Sequence, residues 1–94
     1  MGIDESVKPN ALLIEAQDDV VTVLRAVREG DMVRWDGGSP IPARENIPVG
    51  HKVAIRAVAG GEAIRKYGWP IGSASVAIVP GELVHTHNLS AVEG

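Results

Sequence analysis

The sequence predicts a small, mainly β domain that has an internal pseudo-two-fold repeat and at most one or two short helical turns. Three observations support this class. The chain has 94 residues, which is the size of one domain. Its 11 glycines and 6 prolines fall at short intervals, a pattern typical of short strands joined by tight turns. A 13-residue segment also occurs twice along the chain.

The expected strands and turns follow from the types of residue along the chain. Residues 1–10 are polar and contain Pro9, so we expect a flexible lead-in before a single domain at residues 11–94. Residues 11–15 have the apolar character of a first strand. Residues 18–19 are both aspartates and could cap a short helix that reaches residue 28, but the β-branched residues 20–23 also suit a strand. We favour a strand or a single helical turn there.

A gapless repeat is the reason to expect two related halves. Residues 25–37 (RAVREGDMVRWDG) align with residues 56–68 (RAVAGGEAIRKYG), and six of the 13 positions are identical. A repeat at a fixed offset indicates a repeated supersecondary unit, and two copies are too few for a solenoid. Chance similarity in a chain rich in Val, Ala, Arg and Gly is the alternative. If the repeat is real, residues that differ between the copies are candidates for function, among them Lys66, Tyr67, His85 and His87.

Composition excludes several classes of function. The chain has no cysteine, so it has neither a disulfide nor a thiolate metal site. A net charge of −3 and an aromatic content of 3% argue against nucleic-acid binding. No apolar run reaches the length of about 18 residues that a membrane span needs, and no leader peptide is visible. We therefore expect a soluble cytoplasmic protein.

Most side chains that could transfer protons or bind ligands lie in three short clusters, at residues 50–52, 66–68 and 85–88. His85 and His87 are two residues apart, so on a strand they would share one face. They could then bind one metal ion, with a third ligand from His51 or from a substrate. Surface histidines on an edge strand are the alternative explanation.

The other candidates also have two interpretations each. Lys66 and Tyr67 precede a glycine and could hold a substrate carboxylate, or they could be a solvated lysine and a tyrosine packed at the edge of the core. His51 could be a general acid or base, or a loop histidine bonded to the backbone. Asn88 could bind a carboxylate or hydroxyl through its amide, or end a strand as a turn residue.

Three ordered segments together resemble one family. They are residues 47–54 (IPVGHKVA), residues 64–68 (IRKYG) with Ile71 and Gly72, and residues 81–89 (GELVHTHNL). The segments are similar to the small N-terminal module of the altronate and galactarate dehydratases, which also occurs as the small subunit of sulfolactate sulfo-lyase. The resemblance covers residues 11–89. It implies a SAF-type domain with the β-clip fold, whose internal pseudo-symmetry agrees with the repeat.

The resemblance further implies one component of a lyase that removes water, or sulfite, from a hydroxy acid. A divalent metal, Fe²⁺ in this interpretation, would chelate the carboxylate and hydroxyl of the substrate. His85 and His87 would line the metal site. The substrate would be contacted by His51, Lys66, Tyr67 and Asn88.

The dehydratases of this family carry a much larger second domain. We therefore expect a large partner domain or subunit, and no activity from this chain alone; a homo-oligomer is also possible. A binding module without catalytic activity, for a small ligand or a partner surface, is the alternative of a different class.

Overall fold

The computed structural model describes residues 8–91, and over that range it contains nine short β-strands and no helix. The mainly β class predicted from the sequence is therefore confirmed. The strands are β1 (Ala11–Leu12), β2 (Val20–Val23), β3 (Met32–Val33), β4 (Ile41–Pro42), β5 (Lys52–Ala54), β6 (Ala63–Lys66), β7 (Trp69–Ala74), β8 (Leu83–Val84) and β9 (Leu89–Ala91). In the described part of the chain, no helix has the length and apolar character needed to cross a membrane.

All strand pairs are antiparallel, and they form three sheets. The four-stranded sheet has the order β1-β2-β5-β8, the two-stranded sheet joins β3 to β4, and the three-stranded sheet has the order β6-β7-β9. Two apolar clusters of buried side chains lie against the four-stranded sheet. Val21 and Val53 belong to one cluster, and Val20 and Ala54 belong to the other. Because neighbouring residues of a strand point to opposite faces, the two clusters lie on the two sides of this sheet.

The repeat predicted from the sequence is confirmed by the strand register. In the β3–β4 pair Val33 lies opposite Ile41, and in the β6–β7 pair Ile64 lies opposite Gly72, each residue 31 positions later. The isolated bridges follow the same offset: they are Val27–Ile47 in the first half and Val58–Ile78 in the second.

Each half is closed by a polar side chain that precedes a strand. Asn10 Oδ1 accepts the Arg34 backbone N–H at 2.8 Å, and Asp19 Oδ2 accepts the Arg65 backbone N–H at 2.9 Å. Asn10 and Asp19 are therefore equivalent positions. Asn10 of the predicted lead-in thus bonds to the domain, while residues 1–7 and 92–94 lie outside the described part of the chain.

The two halves interlock because they share β2. The last residues of β2 pair with β1, where Val23 lies opposite Ala11. Its first residues pair with β5, where Val20 lies opposite Ala54. One strand therefore closes the first half and opens the second, so neither half has a complete sheet of its own.

One strand boundary differs from the prediction. The first strand begins at residue 11 as expected, but it ends at Leu12 and does not continue to Glu15. A tight turn interrupts it, since the Asp18 N–H donates to Glu15 O at 3.0 Å and Asp18 Oδ2 accepts the Glu15 N–H at 3.2 Å. Residues 20–23 form a strand, which is the interpretation that the sequence favoured.

Candidate functional site

His51 and His85 come together at one end of the four-stranded sheet. The register of β5 and β8 places Lys52 opposite Val84, so the residues just outside this pair also face each other. The two imidazole rings stack with their centroids 5.1 Å apart and their planes inclined by 22°. Two of the three polar clusters in the sequence thus meet at one point of the fold.

The conformation of His51 is set by the turn before β5. Gly50 has a φ of 80°, in the left-handed region that glycine adopts without steric cost, and its N–H donates to Val23 O at 2.9 Å. The Nδ1 atom of His51 lies 3.3 Å from Val49 O. When Nδ1 carries the proton and donates to this carbonyl, Nε2 is left with a lone pair for a substrate or a metal.

A cavity of about 140 Å³ lies beside this histidine pair and is lined by Lys52, His85, Thr86, Leu89 and Ala91. Its volume suits a small acid, since pockets for drug-sized ligands measure about 300–1,000 Å³. Lys52 places a cation at the cavity, and Thr86 Oγ1 lies 3.3 Å from His85 Nδ1. Lys52 was not predicted as a site residue, although its position directly after His51 was the signal for it.

The expectation that His85 and His87 share a strand face is wrong. Strand β8 ends at Val84 and β9 begins at Leu89, and the residues between them form a turn. The turn forms because His85 O accepts the backbone N–H groups of both Asn88 and Leu89. Both histidines are exposed on this turn. Within residues 8–91, no group of three or more His, Cys, Asp or Glu side chains is placed to hold a metal ion.

Asn88 is buried, and both ends of its amide are used within the chain. Its Oδ1 accepts the His85 N–H at 2.9 Å, and its Nδ2 donates to Leu83 O at 2.8 Å. These bonds give Asn88 the turn role that the sequence left open. They fix the backbone from which His85 projects, and direct contact of Asn88 with a substrate stays a prediction.

Lys66 and Tyr67 lie at the tip of the β6–β7 hairpin, in the three-stranded sheet. The Lys66 Nζ atom lies 4.6 Å from the centroid of the Tyr67 ring, which is a cation–π distance. Tyr67 is 55% exposed and Trp69 is 75% exposed, so the tyrosine projects from the fold and is not packed on the core edge. The hydrogen bonds that hold this tip are made to Asp18, which lies in the turn before β2. His51 and His85 lie elsewhere, next to β5 and β8.

Asp18 was not among the predicted site residues, yet it holds the hairpin tip. Its side chain is fully buried, and its carboxylate accepts backbone N–H groups from Tyr67 at 2.9 Å and Gly68 at 2.8 Å. The sequence offered Asp18 only as a helix cap, because its partners lie about 50 positions further along the chain.

A larger cleft of about 410 Å³ contains none of the predicted site residues. Its lining includes Trp35 and Arg56. The Arg56 guanidinium already donates to Gln17 O at 3.1 Å and Ala16 O at 2.7 Å, so it holds the turn before β2 in place. The smaller cavity at the histidine pair, by contrast, is lined by His85, one of the predicted site residues.

The family model of the altronate/galactarate dehydratase SAF domain matches residues 9–92. The chain belongs to this family. The resemblance carried by the three ordered segments is thereby confirmed.

This SAF domain has two kinds of relative. It is 40% identical over 75 residues to altronate dehydratase of Bacillus subtilis (strain 168), an alignment that covers 80% of this chain and 15% of that protein. Altronate dehydratase of Escherichia coli (strain K12) is 39% identical over the same shares. The (2R)-sulfolactate sulfo-lyase subunit alpha of Chromohalobacter salexigens is 38% identical over 81 residues, which cover 80% of this chain and 86% of that subunit.

The relatives therefore differ in how much of their length the SAF domain represents. This chain spans about 15% of the length of the altronate dehydratases it matches, but most of the sulfo-lyase alpha subunit. In both cases the related segment is one part of a lyase, either a segment of a longer chain or a subunit designated alpha. A larger partner domain or subunit is consistent with both.

Proposed function

We propose that this chain is the SAF component of a hydro-lyase that dehydrates a sugar acid of the altronate or galactarate type. The site is completed by a larger domain or subunit, and the small component is inactive alone. The observation that carries the proposal is the family match over residues 9–92. The soluble, cytoplasmic location expected from the sequence is part of the same proposal.

The geometry at the histidine pair supports this chemistry. Dehydration of a hydroxy acid removes a proton from the carbon next to the carboxylate, so the site needs a base and a counter-charge for the acid. The His51 and His85 imidazoles are groups able to move a proton, and Lys52 lines the adjoining cavity with a cation. Lys66, Tyr67 and Asn88 remain proposed contacts to the acid.

A divalent metal, Fe²⁺ by the resemblance, would supply polarisation of the hydroxyl that leaves. His85 and His87 are the residues on this chain that would contribute imidazole ligands. Because the described residues hold no group of three or more ligands, most of the coordination sphere would have to come from the larger chain.

A second candidate is the small subunit of a sulfolactate sulfo-lyase, which cleaves a carbon–sulfur bond. The observation that favours it is the extent of the alignment, which covers 86% of the sulfo-lyase alpha subunit. The acid-binding groups would serve the same purpose, and sulfite would leave in place of water.

The test is to produce the chain together with its larger partner and to assay the complex against altronate, galactarate and (2R)-sulfolactate. Elimination next to the carboxylate gives an enol that becomes a 2-oxo acid for all three substrates, whereas sulfite is released only from sulfolactate. Formation of a 2-oxo acid without sulfite supports the dehydratase, and release of sulfite supports the sulfo-lyase. A complex that converts none of the three would contradict both.

The site itself is tested with histidine variants in the active complex. We expect His85→Ala combined with His87→Ala to abolish turnover while the complex still assembles and melts at its usual temperature. Of the two single variants, His85→Ala should account for most of the loss, because His85 stacks on His51 and lines the cavity. Ser90→Ala, at an exposed position of β9, is the control. Full turnover by the double variant would exclude this site.

A further inference from the structure

The Asp18 side chain is a buried anion used entirely to hold backbone. It accepts N–H groups at 3.2 Å from Glu15, 2.9 Å from Tyr67 and 2.8 Å from Gly68, and its exposure is 0%. Two of the three donors belong to the tip of the β6–β7 hairpin. The carboxylate therefore ties this tip to the turn that precedes β2.

The internal repeat shows that the first half has no equivalent of this carboxylate. Asn10 and Asp19 occupy equivalent positions, since each accepts the N–H of an arginine in the equivalent strand segment, Arg34 or Arg65. The counterpart of Asp18 is therefore Pro9, which has no side-chain acceptor. The first half closes its hairpin without such a bond, so the bond serves something particular to the second half.

The two hairpin tips differ in exposure: the first packs Trp35 against its core, whereas the second, which the Asp18 carboxylate holds, projects from the fold. In the first half Trp35 is only 9% exposed, and it lies so close to Gly38 that a Cβ atom there would overlap the indole ring. That tip folds back onto its own core. In the second half the equivalent position is Lys66, followed by the exposed Tyr67.

Tyr67 also has an unusual backbone conformation. Its φ is 57°, in the left-handed region that residues other than glycine rarely adopt. The two N–H groups on the Asp18 carboxylate are those of Tyr67 and its neighbour Gly68, so the bond holds the chain at this point. The position of the phenol and of the Lys66 ammonium above it depends on that conformation.

We propose that Asp18 is a positioning residue, which holds Lys66 and Tyr67 so that they contact the acid substrate at a point other than the carboxylate that faces Lys52. The proposal rests on the function proposed above. Lys66 supplies a cation and the Tyr67 hydroxyl a hydrogen-bond donor, groups suited to the oxygen atoms of a hydroxy acid. Asp18 acts through the backbone and does not touch the substrate.

The experiment compares Asp18→Asn with Asp19→Asn in the complex with the larger partner. Asparagine at position 18 keeps the shape but replaces one acceptor oxygen with a donor, which opposes the N–H groups of the tip. Loss of a contact that is equally strong in the ground state and the transition state raises KM and leaves kcat unchanged, so we expect the KM of the acid to rise on the order of tenfold with kcat nearly unchanged. Asp19→Asn is the matched control, because it gives the second half the residue that Asn10 provides in the first.

Two further measurements separate positioning from a purely structural role. Tyr67→Ala should raise the KM by itself, and Asp18→Asn should add little in that background, because both changes remove the same contact. Hydrogen exchange of residues 64–70 in the complex should become faster in Asp18→Asn and remain unchanged in Asp19→Asn.

The outcomes distinguish this inference from the function on which it rests. Faster exchange at the tip with an unchanged KM would overturn the positioning role, and so would independent, additive effects of Asp18→Asn and Tyr67→Ala. If Asp18→Asn prevents assembly, the Tyr67→Ala variant decides, since an unchanged KM there shows that the tip does not bind substrate. A wild-type complex without lyase activity would contradict the proposed function, while the exchange measurement would still report whether Asp18 orders the tip.

Discussion

Polar side chains that accept backbone N–H groups determine where the reactive residues of this domain lie. Strands of two or three residues leave many N–H groups outside the ladders, and buried N–H groups need partners. Asp18 provides partners for the hairpin tip, and Asn88 provides one for the turn that carries His85. The chemistry of the site thus depends on residues whose own polar atoms face the protein interior.

The Asn88 side chain gives a direct test of this dependence. Asn88→Ala would leave the His85 N–H and the Leu83 carbonyl without their present partners in a partly buried turn. An unsatisfied buried polar group costs about 1–3 kcal/mol, so we expect the free energy of unfolding to fall by about that amount. Urea denaturation of the variant measures it. Ser90→Ala is the control and should have little effect; equal stability of the two variants would show that the turn does not depend on the Asn88 amide.

For single residues, the sequence indicated which side chains are reactive, but it did not indicate which residues they contact in the fold. It grouped His51, Lys66 and His85 into clusters, and the structure brings His51 to His85. It could not reveal Asp18, because a buried carboxylate is recognised by its donors, and these lie about 50 positions away. Residue type and spacing report local chemistry, whereas a hydrogen bond across the fold leaves no local pattern.

At the scale of the elements, β7 and β9 lie so close together that position 72 of β7 has no room for a side chain. Gly72 lies opposite Ala91 of β9. A Cβ atom added at Gly72 would overlap the Ser90 carbonyl oxygen and would lie 2.8 Å from Leu89 Cδ1. Glycine at this position lets β9 approach β7, and β9 in turn follows the turn that carries His85.

We therefore expect Gly72→Ala to destabilise the domain. Overpacking usually costs about 1–3 kcal/mol, and the upper end applies because the obstacle is backbone. Gly60→Ala is the matched control, since a Cβ atom there would lie 3.6 Å from the nearest backbone atom, an ordinary contact distance. It should range from no effect to about 1 kcal/mol of stabilisation. Thermal denaturation of both variants checks the difference, and similar melting temperatures would contradict it.

The boundaries of the strands show which features can be predicted from neighbouring residues in the sequence. Strand β2 was predictable because four β-branched residues in succession suit a strand. The end of β1 was not, because it is set by the turn that Asp18 closes with Glu15. The turn after Val84 also differs from the prediction: a two-residue strand is too short to show a period, so the spacing of His85 and His87 alone suggests strand alternation.

At the scale of the whole molecule, two similar halves share one sheet and differ in their surfaces. Strand β2 pairs with β1 through Val23 and with β5 through Val20, so each half contributes to the closure of the other. The repeated bridges and turns belong to the scaffold, whereas the projecting hairpin tip and the histidine turn occur only in the second half. A duplicated scaffold can change one copy for binding while the other copy keeps the fold.

This architecture predicts one unfolding transition with matched contributions from the two halves. Ile47 and Ile78 are equivalent by the repeat, each is 1% exposed, and each lies in a different apolar cluster. Ile→Val substitutions in cores typically cost about 0.5–1.5 kcal/mol. We expect Ile47→Val and Ile78→Val to lower the free energy of unfolding by similar amounts within that range.

The double variant Ile47→Val with Ile78→Val tests two points: whether the two clusters pack independently, and whether they still unfold in one transition. Because Ile47 and Ile78 share no cluster, their costs should add to within about 0.5 kcal/mol. Because β2 and β5 carry side chains into both clusters, calorimetry should still show a single transition in every variant. Two separate transitions would mean that the halves unfold independently in spite of the strand they share, and strong non-additivity would mean that the sheet does not insulate one cluster from the other.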